Sequence, residues 1–472
     1  MLPEGLKGQL ASIVGPKFCL DGVLDIELHS YDSSPFIHKP DLVVLPGTAE
    51  ELASVVRLAH QHKVTIVPRG AGTSLSGGAV PRHGGIMLVT TRMNKVLQLD
   101  LLEETVLVES GVVNLNLQNY LEPYGYMFPP DPASQKSATL GGNIAENAGG
   151  IKGVKYGITK HYVTGLELVL ADGQVVRTGA LSDDPFNEPD LTGIFLASEG
   201  ALALVAKALL RITPIPEEVR TVTTVFDDLG KSGKAVSEII AAGILPTAME
   251  IMDHQLIVAL EDYLHLGFPL DAEALLLIEI DGLGPELDRQ MEAIVDICNK
   301  AGASSTSMAK TAEERDKLWL ARRSGNGAMG RIKPATIVQD VAVPINQLSA
   351  MLSLGQEIAK RYNVTNVQMA HAGDGNLHPH LLYNPYDEAE YERCLEASHE
   401  IFQAALDAGG ALTGEHGIGM EKVGFMDKQF TADELNFMSA IKKVLDPDGS
   451  LNPDKVLPAR YLPGPVAEKQ GA

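Results

Sequence analysis

Five of the thirteen histidines lie between residues 371 and 416. One stretch reads MAHAGDGNLHPHLLY (369–383) and another LTGEHGIGMEK (412–422). A Gly-Asp-Gly sequence separates His371 from His378, and such a turn folds a strand back on itself and brings the two imidazoles to one point. His378 and His380 are two apart and share a face if the chain is extended. Glu415 and His416 stand between Gly414 and Gly417, which leave the two side chains accessible. Any one of these histidines is most simply a satisfied core residue. Together, two imidazoles and a carboxylate are the donor set of a divalent metal centre with open positions. In an extended backbone, adjacent side chains point opposite ways, so Glu415 and His416 are expected to differ in role. A second chemical feature is KLWLARRSGNGAMGRIKP (317–334), where the guanidinium of Arg322 suits a substrate carboxylate through two parallel hydrogen bonds. Arg323 is the alternative.

Two glycine-rich stretches have a different chemistry. VPRGAGTSLSGG (67–78) follows an apolar run, but Leu75 stands where a dinucleotide fingerprint needs its third glycine, and SLSGGAVP does not start a helix. The reading that remains is a loop whose N–H groups form an anion nest. PPDPASQKSATLGGNIAENAGGIKGVKYG (129–157) contains, from Thr139 to Asn147, a loop entering a helix, and a helix N-terminus attracts phosphate oxygens. Asn143 and Asn147 could bond the heteroatoms of a ring cofactor. SEGALALVAKALLRI (198–212) places a glycine beside an apolar strand-like run.

The elements that must position these groups follow from periodicity. LVVL (42–45) and VTIVP (64–68) read as strands around the helix TAEELASVVRLAHQHK, making β-α-β. Thr48 and Glu51 form a capping box, and Leu52, Val55, Val56 and Ala59 share one face. Further strands are expected at 85–91, at 104–111 and within 166–176, the last with an Asp-Gly hairpin turn at 172–173. Beyond TPIPEEVR (213–220), a helix is expected at 230–242, a strand at 274–282, a helix at 285–302 and another near 432–444. The fold class is α+β, with residues 1–215 as one domain, 216–412 as a second with an antiparallel sheet, and 413–472 returning to the first. The last ten residues are expected to be loose.

The formal net charge of −23 argues against a nucleic-acid partner and against docking on anionic lipid. No apolar run reaches the roughly 18–20 residues of a membrane span. The first residues lack a secretory pattern, so a cytoplasmic location is expected, peripheral to a membrane only through a partner. Cys19, Cys298 and Cys394 are far apart, without a CxxC, so neither an iron–sulfur cluster nor a disulfide is expected.

The glycine segments, in this order and spacing, resemble the FAD domain of the vanillyl-alcohol-oxidase family. HxGDGNLH followed by GEHGIG, with the ending DPDGSLNPDKV, resembles its FAD-linked D-2-hydroxyacid dehydrogenases, the group of glycolate oxidase and D-lactate dehydrogenase. The resemblance covers nearly the whole chain and implies a vanillyl-alcohol-oxidase-type FAD-binding domain followed by an α+β cap domain. It implies FAD contacts at Pro68, Arg69, Gly70, Ala71, Gly72, Thr73, Ser74, Gly77 and Gly78. In the second stretch it implies them at Pro130, Asp131, Ser134, Thr139, Gly141, Gly142, Ala145, Asn147, Gly150, Tyr156 and Gly157, and later at Glu199, Gly200 and Asn452. Some relatives bind the flavin covalently through a histidine of the first loop. Here Thr73 and Ser74 occupy that neighbourhood and no histidine lies between 63 and 82, so the flavin is expected to be non-covalent.

By the same resemblance His371, His378 and Glu415 hold a divalent metal (zinc, manganese or iron), His416 is the base, and Arg322 clamps the carboxylate of a small 2-hydroxy acid. The implied reaction removes the hydroxyl proton, made more acidic by the metal, and passes the C2 hydrogen to FAD as hydride. The electrons then go to an electron-transferring flavoprotein, an iron–sulfur subunit, or a quinone or cytochrome. Relatives acting on 2-hydroxyglutarate carry asparagine two residues after the second metal histidine. Here His380 is there, as a substrate contact, which favours D-lactate or glycolate over a 2-hydroxyglutarate-type substrate. A catalytically silent FAD subunit of an electron-transfer complex is the other reading, and the complete His-His-Glu-His set opposes it.

Overall fold

The structure, a computed structural model, describes residues 2–186 and 189–463. The expectation for the last ten residues therefore falls, all but Pro463, outside the described chain. Two compact units are formed. The first takes Met1–Ala148, Ile158–Ile215 and Glu415–Ala472, and the second takes Gly149–Gly157 and Pro216–Gly414.

In the first unit, Leu42–Val44 and Ile66–Arg69 do flank the helix Ala49–Gln61 in sequence. They are not neighbours in the sheet: Ile86–Val89 lies between them, parallel to both. These strands are buried on both faces, which is why they read as unbroken apolar runs. The helix buries Leu52, Val55, Val56 and Ala59 against them. Half of the expected capping box forms. Thr48 Oγ1 accepts the Glu51 N–H at 3.2 Å, but the Glu51 carboxylate takes the N–H of Gly47 at 2.7 Å instead of that of Thr48. Arg92 Nη1 stands 3.5 Å from the same carboxylate. A second, antiparallel sheet has the order Val96–Asp100, Thr105–Glu109, Leu204–Arg211, Val163–Val169, Val175–Gly179. Its last two strands are joined through the Asp172-Gly173 turn.

The second unit is built on one large antiparallel sheet in the order Ala303–Met308, Glu218–Phe226, Ala274–Gly282, Ala248–Asp253, Thr365–His371, Asn376–Tyr383, Ala335–Val338. Val341–Ala342 also pairs with Asn376–Tyr383. The two-residue period of a strand sorts its side chains. Met252, Leu275, Leu277, Val367, Met369 and Leu382 join the helices His254–Leu264 and Ala312–Arg323 in one apolar core. The same alternation and register put Glu250, His371, His378 and His380 on that face, because Glu250 pairs with His371, Met369 with His378, and Val367 with His380. Polar chemistry thus continues directly from the end of an apolar core.

Candidate active site

In the first unit, three remote segments converge. Arg69 ends the strand Ile66–Arg69, and the loop that follows continues without a helix, as the missing third glycine implies. Gly70 faces Thr139, and a Cβ at Gly70 would overlap the Thr139 hydroxyl, so glycine lets the loop lie against that side chain. Thr139 caps the helix Leu140–Glu146 by accepting the Gly142 N–H at 3.3 Å, and Gly141 N–H donates to Ser110 O at 2.7 Å. Asn452 Nδ2 donates to Gly78 O (3.0 Å) and to Glu199 O (2.6 Å), tying the first loop to the third segment. Glu199, Gly200 and Asn452 all have left-handed backbones, with φ of 51°, 69° and 39°.

Ala71, Gly72, Thr73, Ser74 and Gly77 complete the loop, in which Ser74 Oγ accepts the Gly78 N–H at 3.2 Å. The Arg69 guanidinium lies against Gly72 of this loop and donates to Tyr31 O at 2.6 Å. Pro130 O accepts from Asn114 Nδ2 at 3.0 Å, Asp131 is buried, and Ser134 O accepts the Ala138 N–H at 2.8 Å. Ala145 O accepts the Glu199 N–H at 2.9 Å, and Asn147 closes the helix in a left-handed cap, its Oδ1 accepting the Lys160 N–H at 2.9 Å. Gly150, Tyr156 and Gly157 belong to the second unit, where the Tyr156 hydroxyl lies 3.0 Å from Asp281.

Buried Ser110 Oγ, Asn143 Nδ2 and Asn452 Oδ1 have no partner within the protein. Unpaired buried polar atoms are costly, and these three, Ser110 and Asn143 at the glycine-lined start of the helix Leu140–Glu146 and Asn452 between the first loop and Glu199, suit a polar, phosphate-bearing cofactor. FAD fits this donor set.

The same unit holds the start of the second histidine motif. Ser76 Oγ donates to His416 O at 2.9 Å, while the Glu199 carboxylate accepts Ile418 N–H (2.6 Å) and Gly419 N–H (2.8 Å). Glu146 lies beside Glu199. Burial, then its neighbour's charge, pushes its carboxyl well above the usual range, and burial raises that of Glu199. The backbone bends through Gly414, Glu415 and His416. The extended-chain reason for separating these two side chains therefore does not apply, and only the difference between a carboxylate and an imidazole remains.

In the second unit, the Gly373-Asp374-Gly375 turn joins Thr365–His371 to Asn376–Tyr383 as a tight hairpin. Gly375 has φ +77°, and a Cβ there would strike the carbonyl of Val343. The rings of His371 and His378 sit edge to face with centroids 5.1 Å apart, and ligating nitrogens of the two lie within 4.8 Å of each other. His371 Nδ1 is 2.7 Å from Glu250 Oε1, and His378 Nδ1 is 3.3 Å from Gln339 O. With Nδ1–H donating to these acceptors, Nε2 is left as the lone pair that ligates a metal. The two imidazoles therefore fit a divalent ion. His380 is buried and its Nδ1 donates to His378 O at 2.7 Å.

Arg322 is 5% exposed, whereas Arg323 is exposed with its guanidinium 6.0 Å from the Trp319 ring. The Nε and Nη2 of Arg322 both reach Glu250 Oε2 at 2.6 Å. Asp340 stands 3.9 Å from His378 Nδ1 and accepts the Gly414 N–H at 3.0 Å, and Glu415 and His416 follow at once in the chain. Glu250 and Asp340 were missed from the sequence. Each is a carboxylate inside an apolar strand-like run, AMEIMD and TIVQDVAV, and a buried charge of that kind needs partners.

The fold is shared with p-cresol methylhydroxylase, with a TM-score of 0.81 and 17% identity over 96% of this chain and 97% of that one. It is the two-domain vanillyl-alcohol-oxidase type. Residues 40–179 match the FAD binding domain model, and residues 215–456 match that of the FAD linked oxidases, C-terminal domain. The chain belongs to the FAD-linked oxidase family. It is 38% identical to the glycolate oxidase subunit GlcD of Bacillus subtilis (strain 168), over 99% of this chain and 100% of that protein. It is 31% identical to a D-lactate dehydrogenase of Anaerostipes hadrus, over 94% and 95%. Among the described residues, no helix is long and apolar enough to cross a membrane.

Proposed function

We propose that this protein oxidises a small D-2-hydroxy acid, D-lactate or glycolate, to the corresponding 2-oxo acid. The names of its relatives support the substrate class. The observation that carries the reading is the joining of Arg322 and His371 by one buried carboxylate, Glu250, with His378 beside them. When bound, FAD supplies a hydride acceptor for C2, and a divalent ion supplies the positive charge that acidifies the 2-hydroxyl. His371 and His378 would hold that ion through Nε2, together with Glu415. Arg322 binds the substrate carboxylate with the guanidinium hydrogens that Glu250 leaves free. His416 takes the hydroxyl proton on an imidazole nitrogen. The two electrons pass to a partner, an iron–sulfur subunit or an electron-transferring flavoprotein, since Cys19, Cys298 and Cys394 are separate buried thiols in this chain. The location in keeping with such thiols is the cytoplasm, at a membrane only through that partner.

The test is anaerobic mixing of the FAD-loaded protein with D-lactate, L-lactate, glycolate and D-2-hydroxyglutarate, followed at the flavin absorbance. D-lactate or glycolate should bleach the flavin and yield the 2-oxo acid. Bleaching by none of the four would overturn the reading.

A further inference from the structure

Glu250 lies in the strand Ala248–Asp253, directly opposite His371, and is wholly buried. Its two oxygens are divided between two machines. Oε1 takes His371 Nδ1 at 2.7 Å, and Oε2 takes Nε and Nη2 of Arg322, each at 2.6 Å. Strand pairing fixes its backbone and full burial removes competing water. The carboxylate therefore cannot turn toward one partner without weakening its bond to the other.

We propose that Glu250 is a positioning residue that couples the metal-binding imidazole to the substrate clamp, so that metal affinity and substrate affinity change together. The inference rests on the metal-assisted reading given above. An imidazole donating Nδ1–H to a carboxylate is held in the ligating tautomer and made more basic at Nε2. The same carboxylate holds the fork of Arg322 in one rotamer and leaves its outer hydrogens for the substrate. Loss of either partner changes the charge that the other sees through a single group, with no solvent between them to screen it. Gln at position 250 would keep an acceptor for one partner but present N–H groups to the other.

The experiment uses the full chain loaded with FAD. The dissociation constants of Zn²⁺ and Mn²⁺ are measured by chelator competition, and KM and kcat with D-lactate, for wild type, Glu250→Gln, Arg322→Lys, the double variant and His371→Ala. Glu250→Gln should weaken metal binding roughly 10- to 100-fold with flavin content unchanged. Arg322→Lys, although lysine is not in contact with the metal ligand, should weaken it by at least roughly threefold and raise KM. Added to Glu250→Gln, Arg322→Lys should have no further effect on metal affinity. If Glu250→Gln does not retain FAD, the metal affinity of Arg322→Lys decides alone, and a change smaller than that threefold overturns the coupling. His371→Ala separates this from the underlying reading. If it loses metal while Glu250→Gln and Arg322→Lys keep wild-type affinity, only the coupling falls. If His371→Ala itself keeps metal and turnover, the metal-assisted reading falls with it.

Discussion

In the proposed reaction Glu415 and His416, adjacent in sequence, are given unlike work, one as ligand and one as base. The separation rests on chemistry: a carboxylate offers a hard anionic oxygen to a divalent ion, while a neutral imidazole accepts a proton near neutral pH. Glu415→Gln should therefore lose both metal and turnover, since an amide is a far poorer ligand. His416→Ala should keep metal and FAD and lose turnover by about 10² to 10⁴. Elemental analysis beside anaerobic flavin reduction reads both properties in each variant. Equal metal loss in the two would show that the roles are wrongly divided. The surroundings place both residues on a well-anchored loop, with Asp340 holding Gly414 on one side and Glu199 holding Ile418 and Gly419 on the other.

The strand Ala248–Asp253 and the helix His254–Leu264 form an element with its own pH dependence. Asp253 caps that helix, accepting the Leu256 N–H at 3.0 Å, and its other oxygen accepts the Gln368 N–H at 2.9 Å. Burial pushes its carboxyl up to about 7, with the two N–H donors and His254 pulling it down and Glu273 adding to the rise. A carboxyl with a folded-state pKa above its unfolded value binds its proton more tightly in the folded state. Its contribution is full below the unfolded value of 3.8, and stability falls as pH rises from there toward about 7. Asp253→Asn removes this titration. The unfolding midpoint of the variant, followed by circular dichroism from about pH 4 to pH 8, should show a flatter decline than that of wild type. An unchanged slope would mean that Asp253 titrates normally in the fold.

Over the whole molecule, the first unit holds the glycine loops together with Glu415 and His416, and the second holds His371, His378 and Arg322. The first unit also bears on how the flavin is held. Thr73 and Ser74 occupy the first loop, and the histidine that follows it, His83, is paired with Asp454. Acid precipitation of the yellow holoprotein should release FAD into the supernatant, read by its absorbance and fluorescence. Colour retained in the washed pellet would show a covalent link. A colourless protein that could not be reconstituted with FAD would contradict the cofactor assignment itself.

The sequence by itself determined those features that depend on local spacing. The helix Ala49–Gln61 was legible because its apolar positions repeat with the helical period. The hairpin from His371 to His378 was legible because Gly-Asp-Gly admits a left-handed residue where Gly375 needs one. The glycine loops and the GEHGIG motif carry the family resemblance in their residue order alone. Tertiary structure alone decided the partners of those residues. Ile86–Val89 enters between two strands that look adjacent in sequence, since a parallel pair is joined by a crossover and leaves room for a later strand. Which of Arg322 and Arg323 turns inward depends on which helix face meets the core, and the local pattern LARR does not specify it. Glu250 and Asp340 stayed hidden for the same reason: a carboxylate in an apolar run gives notice that it must be paired, but the partner, 121 residues away in the case of His371, is fixed only by strand register.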